Sequence, residues 1–169
     1  MKDAFNVVNT KLFQNVLKSL NHVTIDPDEY SRHIMDLHKR RLITKMNTKG
    51  RLSNKTLQKA LVQEQAYRSK ILALKLECKY LVELIERLVE ASVLQILNRY
   101  DKDLPYKTKS EKRQYVWDEF VEQIPIWIKL ENCVETADTI IEDIDKAAWT
   151  SKHLISLFEL STRPELNYG

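Results

Sequence analysis

The feature that most limits the fold is an unbroken stretch, residues 53–99, that contains neither Gly nor Pro. It is over forty residues long, whereas the mean α-helix has about 11 to 12. The whole chain has two Gly and four Pro among 169 residues, so the turn residues that a sheet protein of this length needs are missing. We therefore predict an all-α fold, an elongated helical bundle with one very long helix.

Two heptad patterns accompany this long helix and predict coiled-coil-like seams. The first has Leu57, Ile71, Cys78 and Ile85 at a positions and Ala60, Tyr67, Leu74, Leu81 and Leu88 at d positions, with Glu64 as its one charged residue. The second comprises Val134, Ala137, Ile141, Ile144, Ala148, Ser151, Ile155 and Phe158. Seams of this length need partner helices, so we expect a homo-oligomer. Its predicted contacts are Ile71, Leu74, Leu81, Ile141, Ile144, Ile155 and Phe158.

Capping and breaker residues predict the helix boundaries. A first helix is expected within residues 3–21, and a second should run from Pro27, after Asp26, to about Met46. Gly50 is expected to end it and Ser53 or Asn54 to begin the long helix. Ser110 is expected to cap the next helix, and Pro125 to kink or restart it.

These boundaries predict two regions. Residues 1–50 would form an N-terminal helical hairpin that is basic at its end. Residues 51–169 would form a single structural unit of the long central helix and a C-terminal helical bundle. The three tryptophans, Trp117, Trp127 and Trp149, lie on apolar faces, which favours packing over base stacking.

No catalytic pattern is present. The sequence has no Gly-rich phosphate loop and no HExxH motif, and its four His residues are scattered. Cys78 and Cys133 lack metal-ligand spacing and are expected to be buried thiols, which suits a reducing compartment. No apolar run approaches the roughly 18 to 20 residues of a membrane span, and the start is a poor signal peptide. We expect no enzyme activity, no cofactor, no metal, no membrane partner and a cytoplasmic location.

Charge is divided along the chain. Residues 31–70 hold eleven Lys or Arg against two acids, and residues 116–169 hold four against eleven. The predicted nucleic-acid-binding residues are Lys39, Arg40, Arg41, Lys45, Lys49, Arg51, Lys55 and Lys59, with a weaker second stretch at Lys107, Lys109, Lys112 and Arg113. Positive charges spaced along the chain in this way can bind the successive phosphates of a nucleic-acid backbone. A solvated face at helix ends is the alternative.

Several short patterns resemble the UvsY-type recombination mediators of tailed phages. They are Val23-Thr24-Ile25-Asp26 with Asp28-Glu29-Tyr30, Pro105-Tyr106-Lys107, Asp138-x-Ile140-Ile141-x-x-Ile144, and Trp149-x-x-Lys152-His153-x-Ile155-x-x-x-Phe158. The resemblance covers about half the chain. It implies a ring-like homo-oligomer that binds single-stranded DNA, contacts the single-strand-binding protein and helps load a RecA-like recombinase in the host cell cytoplasm.

This chain departs from the family around residues 81–97. It has an unbroken apolar helix there, where the family has a short Tyr- and Gly-containing segment near its DNA contacts. No DNA-binding residue is therefore carried over from the family.

Two other functions fit the same patterns. The chain would be a phage structural or adaptor protein that assembles through its seams, with the basic block docked on an acidic surface such as the acidic half of a neighbouring copy. Alternatively, it would be a helical regulator that binds an enzyme through its acidic C-terminal half.

Overall fold

The structure is a computed structural model that describes residues 5–21, 25–41 and 53–161. In these ranges it contains five α-helices and no strand, which confirms the all-α prediction. The helices are α1 (Lys11–Asn21), α2 (Pro27–Lys39), α3 (Asn54–Tyr100), α4 (Lys109–Gln123) and α5 (Pro125–Ser161). A 3₁₀ turn, Val7–Asn9, precedes α1. The predicted long helix is α3, with 47 residues.

The chain forms two compact units. Unit I consists of residues 1–29 and 77–133, and unit II of residues 30–76 and 134–169. The helices α2, α3 and α5 each contribute to both units. The predicted division at residue 50 therefore does not coincide with the division into units. Each unit is built from two segments that are distant in sequence.

The first two helices differ from their predicted bounds. The helix expected within residues 3–21 begins only at Lys11, because the Thr10 hydroxyl accepts a hydrogen bond from the Phe13 amide and caps it. The second helix starts at Pro27 as predicted, but it ends at Lys39 rather than near Met46. The Arg40 amide is shared between the carbonyls of Asp36 and Leu37, a tightening typical of helix ends. Gly50 lies outside the described residues.

The buried face of α3 follows the predicted seam only at first. The a positions Leu57, Ile71, Cys78 and Ile85 are buried, whereas Tyr67, Leu74 and Leu81 are half-buried and Leu88 is exposed. Towards the end of α3 the buried face passes to Val82, Val89, Val93 and Ile96. A straight α-helix drifts by about 20° per heptad relative to a strict seven-residue repeat. This drift explains why the d positions move out of the core.

The boundaries of α4 and α5 follow from one capping box and one proline. Thr108, not Ser110, caps α4: its hydroxyl accepts from the Glu111 amide, and the Glu111 carboxylate accepts from the Thr108 amide. The prediction of Ser110 was wrong because the pattern Thr-x-x-Glu starts two residues earlier. Helix α5 begins at Pro125 after a break at Ile124, as the proline predicts.

Aromatic pairs form part of the core of unit I. The Phe13 and Phe120 rings stack with centroids 4.1 Å apart, and Trp117 meets Trp127 edge-on at 5.4 Å. Trp127 is buried and Trp117 half-buried, in line with the packing prediction. Trp149, in unit II, is 66% exposed, so it does not pack in a core of this chain, and subunit packing, the other part of its prediction, stays a prediction.

In unit II, α3 and α5 run antiparallel. Arg68 pairs with Asp145 and Lys75 pairs with Asp138. The partner on α5 is thus seven residues earlier when the residue on α3 is seven residues later, as two antiparallel helices require. Ile71, Ile141 and Ile144 are buried within this single chain. Their prediction as subunit contacts is corrected, because their side chains are already covered within the chain.

The remaining predicted subunit contacts keep some exposed surface. Leu74, Leu81, Ile155 and Phe158 are half-buried in the chain. Their role as subunit contacts stays a prediction.

Candidate nucleic-acid interface

Four of the predicted phosphate contacts are exposed on unit II. Lys39 and Arg40 stand at the end of α2, and Lys55 and Lys59 in the first turns of α3. None of the four forms an ion pair with another described residue. We call them the basic cluster. Lys55 and Lys59 are four residues apart and so share one helix face. Three further predicted contacts, Lys45, Lys49 and Arg51, lie outside the described residues.

Arg41 has a different role from the one predicted. Its side chain is fully buried, and its Nε donates to Glu64 Oε2 at 2.7 Å. Its Nη1 donates to Asp143 Oδ2 at 2.6 Å, and His38 Nδ1 lies 3.3 Å from the same nitrogen. A phosphate cannot reach a side chain placed in this way. Arg41 is therefore removed from the predicted nucleic-acid contacts.

The Arg41–Glu64 pair joins the residue that follows α2 to α3, the two helices that carry the basic cluster. Arg41 directly follows Arg40, and Glu64 lies five residues beyond Lys59. At 1.5 Å rise per residue, Lys59 is about 7.5 Å along the α3 axis from Glu64. The end of α2 is thus fixed beside α3, and both exposed pairs, Lys39 with Arg40 and Lys55 with Lys59, belong to unit II.

Sequence reasoning missed this arrangement, although one signal for it was present. Glu64 was noted as the one charged residue in an apolar seam, and a buried charge needs a partner of opposite sign. Nothing in the local sequence identified Arg41 or Asp143 as that partner, because they are 23 and 79 residues away along the chain.

Acids of α5 are paired within the chain. Asp143 pairs with Arg41, Asp145 with Arg68 and Asp138 with Lys75. The two hydrogen bonds from Arg68 hold the pKa of Asp145 below its usual value, and the carboxylate raises the pKa of Arg68. Some of the acidic charge of the C-terminal half is therefore neutralised by basic residues of unit II.

The second basic stretch, in unit I, is split by the structure. Lys107 and Lys109 are exposed and form no ion pair with a described residue. Lys112 is 8% exposed and donates to the Asp101 carbonyl at 2.6 Å and to its carboxylate at 2.9 Å. Its prediction as a nucleic-acid contact is corrected, since its ammonium holds the preceding loop. Arg113 is exposed but pairs with Glu90 at 2.7 Å.

In the described parts of the chain, no group of three or more His, Cys, Asp or Glu side chains is arranged to hold a metal ion. No helix there combines the length and the apolar character that crossing a membrane requires.

Comparison with protein-family models, with curated proteins and with solved structures finds no match to this chain.

Proposed function

We propose that this chain is a non-enzymatic protein that binds single-stranded nucleic acid through the basic cluster of unit II. In this proposal it acts as a recombination mediator, as the resemblance of its sequence patterns implies. It would assist the loading of a RecA-like recombinase and contact a single-strand-binding protein. The observation that carries the binding part is that Lys39, Arg40, Lys55 and Lys59 are exposed in unit II and form no ion pair with another described residue.

Electrostatics support a phosphate backbone as the ligand. Exposed, unpaired Lys and Arg side chains release counterions from phosphates when they bind, which gives affinity without sequence preference. No arrangement of a recognition helix with base-reading side chains is evident in the sequence. The expected binding is therefore weakly sequence-specific and falls steeply with salt.

The adaptor alternative is less well supported by the described contacts. It requires the basic cluster to dock on an acidic surface, such as the acidic half of a neighbouring copy. Asp138, Asp143 and Asp145 already have cationic partners in their own chain. Fewer free carboxylates are left for a second subunit than the charge count of the sequence indicates.

Self-association remains part of the proposal, at a revised surface. Trp149, Leu157 and Leu160 are each at least 60% exposed, and their spacing of eight and three residues puts them on one face of α5. An exposed apolar face of this kind is typical of a protein contact. Light scattering of the unsubstituted chain and of the double variant Trp149→Ala/Leu157→Ala tests it. We expect the variant to have the lower mass.

The binding proposal is tested by charge removal with a matched control. The double variant Lys55→Gln/Lys59→Gln removes two charges from the cluster, whereas Lys11→Gln/Lys18→Gln removes two exposed charges from α1 in unit I. Fluorescence anisotropy with a labelled mixed-sequence single strand should show weaker binding for the first variant alone. Equal affinities of the two variants would contradict the proposal.

A further inference from the structure

The loop between α3 and α4, residues 101–108 in unit I, is held rigidly from several sides. The Lys112 ammonium binds Asp101 at both its carbonyl and its carboxylate. Leu104 is 5% exposed, and its amide bonds back to the Tyr100 carbonyl at 3.2 Å. The capping box of Thr108 and Glu111 fixes the far end. The loop is therefore held by hydrogen bonds at both ends and by the buried Leu104 between them.

The exposed side chains of the loop include an aromatic ring and a cation, Tyr106 and Lys107, as well as Lys102 and Asp103, and a further cation, Lys109, begins α4. Tyr106 is 43% exposed, and its ring leans on that of Tyr115 with centroids 5.3 Å apart and planes tilted by 47°. Tyr115 is half-buried, and its pKa is raised, mainly by burial. Tyr106 is thus supported from behind by a fixed ring. Lys107 and Lys109 follow it directly, both exposed and without an ion pair among the described residues.

The acids near this loop are largely satisfied within it. The carboxylate of Asp101 is paired with Lys112, which holds its pKa below the usual value. Glu111 accepts from both the hydroxyl and the amide of Thr108, which lowers its pKa. Two of the three acids beside Lys107 and Lys109 thus have hydrogen-bond partners within this region, and the third, Asp103, is exposed.

We infer that this loop is a second nucleic-acid contact, in which Tyr106 stacks on one unpaired base while Lys107 and Lys109 bind adjacent phosphates. Aromatic stacking tolerates any base but requires the base to be unstacked, so it favours a single strand over a duplex. The basic cluster of unit II supplies charge without such a ring. The inference rests on the proposal that the chain binds nucleic acid, but it depends on different residues.

The test uses the full chain and three substitutions. Tyr106→Ala removes the ring, Tyr106→Phe retains it, and Tyr80→Ala removes a tyrosine of unit I that is 61% exposed. Each variant is titrated into a mixed-sequence single strand and into an abasic strand of the same length. The abasic strand keeps the phosphates and lacks the bases.

We expect Tyr106→Ala to bind the base-containing strand roughly 5- to 150-fold more weakly, the range for loss of one stacked base. Its affinity for the abasic strand should be unchanged. Tyr106→Phe and Tyr80→Ala should bind both strands like the unsubstituted chain. Undiminished binding by Tyr106→Ala, or an equal loss on both strands, overturns the inference.

The outcomes also separate this inference from the proposed function. Lys55→Gln/Lys59→Gln should lower the affinity for both strands by the same factor, because it removes only charge. If that double variant leaves both affinities unchanged while Tyr106→Ala weakens binding to the base-containing strand alone, the result contradicts the proposal for the basic cluster and supports the inference for the loop. If the unsubstituted chain binds neither strand, both are overturned.

Discussion

Arg41 and Glu64 form an ion pair inside unit II, with Nε 2.7 Å from Oε2 and essentially no side-chain surface left to solvent. Asp143 receives a second hydrogen bond from the same guanidinium while remaining 57% exposed itself. Burying these charges is costly, and the two carboxylates around one guanidinium offset that cost. The pair also fixes the end of α2 against α3, and so determines where the basic cluster is displayed.

Replacing Glu64 should strongly destabilise unit II. In Glu64→Gln the buried guanidinium loses Glu64, one of its two anionic partners among the described residues, and removing one member of a buried pair costs about 3 to 5 kcal/mol. Urea unfolding should show this loss, whereas Glu142→Gln should change stability by less than about 0.5 kcal/mol, because Glu142 meets Lys146 at 3.6 Å on the surface.

The double variant Arg41→Met/Glu64→Leu provides the control for this prediction. It removes both buried charges together, so it should recover much of the stability that Glu64→Gln loses. A double variant no more stable than Glu64→Gln would contradict the account of the pair.

The cap of α4 is tested by two neighbouring substitutions. Thr108→Ala should lower the free energy of unfolding by about 1 kcal/mol, because the Glu111 amide loses its side-chain acceptor. Ser110→Ala, within the first turn, should be nearly neutral. Thermal unfolding of both variants distinguishes them, and a larger loss for Ser110→Ala would restore the assignment made from sequence.

The positions of the helices could be predicted from the sequence more accurately than the residues at which they end. The side chains that form ion pairs between helices could not be predicted. The length of α3 and the start of α5 at Pro125 follow from local composition, because Gly and Pro interrupt a helix at their own positions in the chain. The end of α2 at Lys39 and the burial of Arg41 depend on Glu64 and Asp143, which are distant in the chain. The same holds for Lys112, whose role depends on Asp101 across a loop. A count of basic residues could not separate exposed cations from those with structural partners.

The Arg68–Asp145 pair should make a small, pH-dependent contribution to stability. The pKa of Asp145 is depressed by Arg68, so the stabilisation is present above the unfolded value near 3.8 and is lost as the pH falls through the folded value. Both side chains are partly exposed, so Arg68→Gln should cost at most about 1 kcal/mol at pH 7. Urea unfolding at pH 7 and pH 2 should show this difference only at pH 7. A loss of equal size at pH 2 would exclude the ion pair as its cause.

The buried thiol of Cys78 should reduce stability at alkaline pH. Burial, assisted by Cys133, raises the pKa of Cys78 from 9.0 to about 12. Between these values the unfolded chain loses the thiol proton and the folded chain keeps it, so stability falls as the pH rises. The slope from this one group is at most about 1.4 kcal/mol per pH unit.

Comparison with Cys78→Ala isolates this contribution. Unfolding free energies measured from pH 8 to pH 11 should fall less steeply for the variant than for the unsubstituted chain. Parallel profiles would show that the thiol does not titrate differently in the two states.

The central claim is that the basic cluster binds a phosphate backbone, and the salt dependence of affinity tests it most directly. Affinity for a mixed-sequence single strand should fall linearly with salt concentration on logarithmic axes, with a slope near −0.7 per phosphate contacted. Removing Lys55 and Lys59 should make this slope shallower by about one unit or slightly more, whereas Lys11→Gln/Lys18→Gln should leave it unchanged. An affinity independent of salt, or equal slopes for the two variants, would contradict the claim.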